Sequence, residues 1–168
     1  MNYITLLVKH SELSPHQIEQ ICNLKAVRWN YYSLEQHRQW MVENLQPSDY
    51  HILLIENAKL FGYTNLVEIS ATINDEVVFM KGVGNVCTLE TGKGYGNVLM
   101  QEVNRNLTEH YWIGLLICKQ ELVKYYDKFG WVVIDKGVCH IDNLDDVNFM
   151  IYNVQTEISS FTYEGRNF

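Results

Sequence analysis

A mixed α/β layered domain is predicted by three observations. Strand-like and helix-like runs alternate along the whole chain, two capping boxes fix early helix starts, and a glycine cluster marks a strand-to-helix junction near the middle. The 168 residues suit one domain, read here as residues 1–168, and 47% apolar content is enough for a sizeable core.

The elements follow in order. Tyr3–Lys9 reads as a strand. In "SPHQ" Ser14 is an N-cap, Pro15 takes the first helical position and Gln17 stands at N3, a capping box that opens a helix through Ile18, Ile21 and Leu24. "SLEQ" repeats the signal at Ser33 and Gln36, and Pro47 closes the helix behind it. Tyr50–Asn57 and Lys59–Ile73 are strand-like and separated by one residue, a tight hairpin. Glu76–Leu89 follows a turn at Asn74–Asp75, with Gly82 and Gly84 suggesting a bulge or a close backbone approach. A helix through Leu99, Val103 and Leu107 comes next. Tyr111–Cys118 is a buried strand, Lys119–Gly130 a helix with Gly130 at C′, and "WVVID" and "VNFMIYNV" are two last strands. The order is β-α-α-β-β-β-α-β-α-β-β.

The stretch "ETGKGYGNVLM", Glu90–Met100, packs three glycines into five residues before a helix. A loop that opens a helix offers unpaired N–H groups and the positive end of the helix dipole, a place for phosphate. A P-loop requires G-x-x-x-x-G-K-[ST]. Around Gly92–Lys93 the residue five back is Cys87 and the residue after the lysine is Gly94, so that pattern fails. A dinucleotide fingerprint requires G-x-G-x-x-G. Its third glycine falls on Asn97 or Leu99, and that fails as well.

The remaining spacing, after a strand ending "VCTLE", resembles the acetyl-CoA loop of the GNAT superfamily of N-acetyltransferases, Arg/Gln-x-x-Gly-x-Gly/Ala. Gly94 and Gly96 fall on the motif glycines, and Thr91 stands where the family usually carries Arg or Gln. "GLLICKQELVKYYDKFGW", Gly114–Trp131, looks like the family's fifth strand and following helix. Tyr125 and Tyr126 match its aromatic pair and Gly130–Trp131 its close. The wording is similar to the branch that includes aminoglycoside 2'-N-acetyltransferases. The resemblance covers about Val83–Trp131, and the element order agrees over most of the chain. It implies a mixed, mostly antiparallel sheet of about seven strands flanked by four helices. It also implies acetyl-CoA as cofactor and transfer of acetyl to a small-molecule primary amine by direct attack in a ternary complex. A non-catalytic acyl-CoA-binding module on the same fold is the alternative.

The resemblance further implies that Thr91, Gly92, Lys93, Gly94, Tyr95 and Gly96 hold the pyrophosphate, and that Val86, Cys87 and Thr88 pair with the pantetheine. An N–H near Val86 or Cys87, left unpaired by a bulge at Gly82 or Gly84, would serve the thioester carbonyl. Tyr126 is the expected general acid. A phenol titrates near ~10 and keeps its proton at neutral pH to give to a thiolate whose thiol titrates near ~8.5. Glu68, Asp75 and Glu76 are candidate bases. Glu68 is favoured because it stands inside an apolar run, where a buried carboxylate becomes a stronger base. Trp29, Tyr31 and Tyr32, between the first two helices, form an expected aromatic wall for the amine. Cys87, next to the expected thioester, reads as a small buried hydrophobe rather than an acyl carrier.

A net charge of −7 with no Lys/Arg block argues against nucleic acid. The four cysteines form no C-x-x-C, and the six histidines include no i, i+4 pair, so no metal site is expected. The N-terminal run is short and lacks a basic lead, and no apolar window approaches the roughly 18 residues of a membrane span. A cytoplasmic protein without membrane partners is expected. The tail "SSFTYEGRNF", if exposed, would be a surface for a homodimer.

Overall fold

A computed structural model describes residues 2–142 and 146–168. Among these are eight strands, β1 (Ile4–Lys9), β2 (Tyr50–Glu56), β3 (Lys59–Ile73), β4 (Glu76–Thr88), β5 (Gly114–Cys118), β6 (Val132–Val133), β7 (Asn148–Tyr152) and β8 (Phe161–Thr162). The four α-helices are α1 (Pro15–Arg28), α2 (Leu34–Asn44), α3 (Tyr95–Glu109) and α4 (Gln120–Asp127). The described residues fall into two compact units. One is drawn from Met1–Val67, Gly84–Val103 and Phe168, the other from Glu68–Val83 and Asn104–Asn167. β3, β4 and α3 contribute to both.

In the first unit the strand order is β1-β2-β3-β4, with β1–β2 and β2–β3 antiparallel. Both capping boxes form as the sequence requires. Ser14 Oγ accepts from the Gln17 N–H at 3.2 Å while Gln17 Oε1 accepts from the Ser14 N–H at 2.9 Å. Ser33 and Gln36 repeat the exchange at 3.2 and 2.8 Å. Each reciprocal pair satisfies two amide donors that a helix start leaves open. The β2–β3 hairpin turns on two residues, Asn57 (φ 50°) and Ala58 (φ 61°), the left-handed pair of a tight hairpin. Leu60–Val67 is buried without alternation, the pattern of a strand covered on both faces.

In the second unit the order is β3-β4-β5-β7-β6, with β8 pairing β3. β5 runs parallel to β4 and antiparallel to β7. Gly114 opens β5 because nothing larger fits. A methyl there would come within 2.6 Å of the Trp131 ring and 2.7 Å of Leu107. Trp131 is fully buried, and its indole N–H donates to Asn104 Oδ1 at 2.9 Å, while Asn104 Nδ2 donates to the Phe129 carbonyl at 2.7 Å. Gly130, at φ 81°, makes the left-handed step that turns the chain from α4 towards β6.

The tail expected as a surface for a homodimer is exposed only in part. Phe161 is fully buried and pairs with Ile73, and the Asn74 carboxamide accepts from the N–H groups of Ser159 and Ser160 at 2.8 and 3.1 Å. The physical reason is apolar: Phe161 and Tyr163 pack on Phe149, with ring centroids 5.4 and 6.2 Å apart. In β4, of the two alternatives the sequence leaves for Gly84, the structure shows the close backbone approach. The left-handed residue is Asn85 (φ 52°), and Gly84 is small because an added Cβ would lie 2.1 Å from the Phe168 backbone.

Candidate active site

The glycine loop lies in the first unit, between β4 and α3. Gly92 (φ 76°) and Gly94 (φ 78°) are left-handed, and a Cβ built on either meets no atom within 4 Å. Packing therefore does not demand glycine here; the backbone conformation does, and the space over the loop is open. The Gly94 carbonyl accepts the N–H groups of Asn97 and Val98 at 3.0 and 3.2 Å, which fixes the start of α3. Among the described residues, none of the Thr91–Gly96 amides donates to a protein acceptor. A row of open N–H donors, the helix dipole and exposed Lys93 together fit a pyrophosphate. Tyr95 anchors the row, its ring 4.8 Å from that of Phe61.

At the end of β4, Val86 and Thr88 are half-buried and Cys87 is buried. Burial pushes the Cys87 thiol up to about 12, so it stays protonated and is no nucleophile.

Trp29, Tyr31 and Tyr32 are brought together at one cavity. They line a cavity of ≈ 420 Å³ with Lys25, Trp40 and Asn85. Tyr31 and Tyr32 are 70% and 49% exposed, rings available to a ligand rather than core. Lys25 was not expected there. It is 2% exposed, its Nζ lies 4.0 Å from the centre of the Trp40 ring, and burial lowers it to about 8. Removing an ammonium from water costs several kcal/mol, and a desolvated cation–π contact returns about 2 kcal/mol. The signal was present in the sequence: Lys25 follows Ile18, Ile21 and Cys22 at i+7, i+4 and i+3, on the stripe that faces inward.

In the same unit His10, His51 and Tyr63 form a chain of polar contacts outside both sequence motifs. His10 Nδ1 and His51 Nε2 are 3.1 Å apart, and His51 Nδ1 is 3.0 Å from the Tyr63 hydroxyl. His51 and Tyr63 are fully buried, and burial followed by the neighbouring His10 brings His51 down to about 3.

Tyr126 lies in the second unit on α4, 8% exposed. Burial, then the adjacent Tyr125 and Cys118, raises its phenol well above the ordinary value. Its hydroxyl has no hydrogen-bond partner among the described residues. Tyr125 packs edge-on against Tyr126 and Phe129, at 5.1 and 5.3 Å.

Glu68 is exposed, which corrects the expectation of burial. At this residue β3 changes from two-sided burial to alternation, and Glu68 and Ser70 point outward. Glu68 Oε1 accepts from Lys81 Nζ at 2.9 Å, and that ammonium lies 4.4 Å over the Trp112 ring. Glu68, Lys81, Trp112 and Arg166 line a cavity of ≈ 520 Å³. Asp75 sits in the left-handed β3–β4 turn (φ 65°) and Glu76 begins β4, both exposed. Among the described residues, no group of three or more His, Cys, Asp or Glu is placed to hold a metal ion, and no helix is long and apolar enough to cross a membrane.

Residues 10–134 match the family model of the acetyltransferase (GNAT) domain. The fold is similar to that of Escherichia coli ElaA, at 22% identity over 89% of this chain and 99% of that one, with a TM-score of 0.65. It is similar to an acyl-CoA N-acyltransferase from Pseudomonas aeruginosa, at 17% identity over the same shares, 89% and 99%, with a TM-score of 0.62. An aminoglycoside 6'-N-acetyltransferase solved with coenzyme A is 10% identical over 88% of this chain and 96% of that one, at a TM-score of 0.63. No curated protein matches the sequence. The matched domain covers most of the chain, both motifs lie within it, and the open loop fits the cofactor: the chain belongs to the GNAT family of acetyltransferases, and its cofactor is acetyl-CoA.

Proposed function

We propose that this chain is one catalytic domain, residues 1–168, that transfers acetyl from acetyl-CoA to the primary amine of a small molecule by direct attack in a ternary complex. The observation that carries the reading is the left-handed Gly92/Gly94 loop, with its open amides at the start of α3. Acetyl-CoA supplies the activated acyl group as a thioester.

The chain's residues divide the remaining work. Amides of Thr91–Gly96 hold the pyrophosphate, with Lys93 adding charge, and Val86–Thr88 align the pantetheine arm along β4. Tyr126 keeps a proton on its hydroxyl for the leaving sulfur; burial keeps that phenol neutral throughout the physiological range. Glu68 accepts the amine's proton, through water, from an exposed position that Lys81 holds in one orientation. Trp29, Tyr31 and Tyr32 form the acceptor's wall. The protonated Cys87 thiol favours direct attack over an acyl-cysteine route.

The test is release of free thiol from acetyl-CoA in the presence of an amine panel. Tyr126→Phe is expected to lower kcat by about 10²- to 10⁴-fold with little change in KM for acetyl-CoA. A Tyr126→Phe protein as active as wild type removes the acid assignment. Saturable acetyl-CoA binding without turnover on any amine points instead to a non-catalytic binding module.

A further inference from the structure

We infer that the cavity lined by α1 and α2 is a carboxylate-binding site, and that the acceptor is accordingly an amino-carboxylate with an apolar or aromatic body. This rests on the transferase reading for the word acceptor, but the site itself stands on separate observations.

The first is the unbalanced charge. Lys25 lines the cavity, is 2% exposed, and among the described residues has neither a carboxylate partner nor a hydrogen bond. Its Nζ lies instead 4.0 Å from the centre of the Trp40 ring. The nearby thiols of Cys22 and Cys87 are raised by burial and stay neutral, so they supply no counter-charge. Glu43 also lines the cavity, but its exposed carboxylate accepts from Gln39 Nε2 at 2.7 Å and makes no ion pair with Lys25. His37 adds no charge, because burial lowers it. A buried ammonium without an anion is an arrangement that an incoming anion completes.

The second is a donor beside it. Gln36 lines the same cavity, and its Oε1 is occupied by the Ser33 N–H at 2.8 Å, which turns the amide so that its NH₂ has no protein acceptor among the described residues. One ammonium and one neutral amide suit a monoanion; a phosphate dianion would ask for a second cation. The third is the wall. The exposed rings of Tyr31 and Tyr32, with centroids 4.7 Å apart, offer an apolar surface to the ligand's body.

The test uses ligands that carry no amine, so that binding is read without turnover. Titration of the full chain with 3-phenylpropionate and with 3-phenylpropan-1-ol is followed by calorimetry and by the fluorescence of Trp29 and Trp40. The acid is expected to bind at least tenfold tighter than the alcohol. Lys25→Met is expected to lose that tenfold preference, leave the alcohol unchanged and melt at the same temperature or higher, because a buried charge has been removed. Equal binding of acid and alcohol to wild type overturns the proposal without recourse to any variant. So does a Lys25→Met protein that keeps the preference but melts lower, which would make Lys25 a packing partner of Trp40. Thiol release from amines by a protein that shows no acid preference would leave the transferase reading standing and remove this site. Acid preference without thiol release from any amine would do the reverse.

Discussion

Replacing Gly94 by alanine separates the binding role of the loop from its folding role. The added Cβ meets no protein atom within 4 Å, so packing contributes nothing to the cost. What remains is the left-handed backbone at φ 78°, which disfavours an L-residue by about 1–2 kcal/mol. For a chain of this length that lowers the melting temperature by roughly 2–4 °C per kcal/mol. The effect on the cofactor is larger. The methyl enters the open space over the loop, and relief of the strained φ re-aims the neighbouring amides. Losing one charge-assisted hydrogen bond to pyrophosphate costs about 1.5–3 kcal/mol, roughly a 10- to 100-fold loss of acetyl-CoA affinity. Calorimetry with acetyl-CoA and a thermal melt on the same sample measure both. Wild-type affinity in Gly94→Ala, or a melt lowered by far more than the backbone cost, refutes the reasoning.

Gly114→Ala should behave in the opposite way. Its methyl would lie 2.6 Å from Trp131, so overpacking is expected to cost about 1–3 kcal/mol, seen as a lower midpoint in urea. Thr91→Arg restores a long donor at the loop and is expected to tighten acetyl-CoA several-fold, an effect that weakens with salt as an exposed ionic contact must. His51, brought down to about 3 by burial, sets an acid limit. Below its ordinary value near ~6.5 the unfolded chain binds a proton that the folded chain refuses. Stability therefore falls as pH drops from there towards 3, by about 1.4 kcal/mol per pH unit from this group. Equilibrium unfolding of His51→Phe beside wild type, between neutral and acid pH, should show a shallower fall.

Most of the fold was legible because local chemistry dictates it. Ser14 and Ser33 announce their helices through reciprocal side-chain bonds, and Gly130 announces the end of the α4 region. β8 was missed because Phe161 and Thr162 form two residues of strand, held by packing on Phe149 that no local pattern encodes. Glu68 misled for a related reason. An apolar run looks buried on both faces, yet the change to alternation at this residue is set by what covers β3, not by β3 itself. At Gly84 the sequence leaves a bulge and a close backbone approach open; the close approach is to the Phe168 backbone, a partner 84 positions away that the spacing of neighbours cannot reveal. Lys25 is the reverse case. Its place on the apolar stripe of α1 was readable, but a lysine among helix-surface residues passes for a solvated one until its burial is seen.

The central claim, that the loop cradles acetyl-CoA and Tyr126 protonates the leaving sulfur, is tested most directly by a crystal structure with coenzyme A bound. The account predicts pyrophosphate oxygens within hydrogen-bond distance of the Thr91–Gly96 amides, and the cofactor sulfur within about 3.5 Å of the Tyr126 hydroxyl or joined to it by one water. Pyrophosphate bound elsewhere, or a sulfur beyond the reach of that hydroxyl, contradicts it.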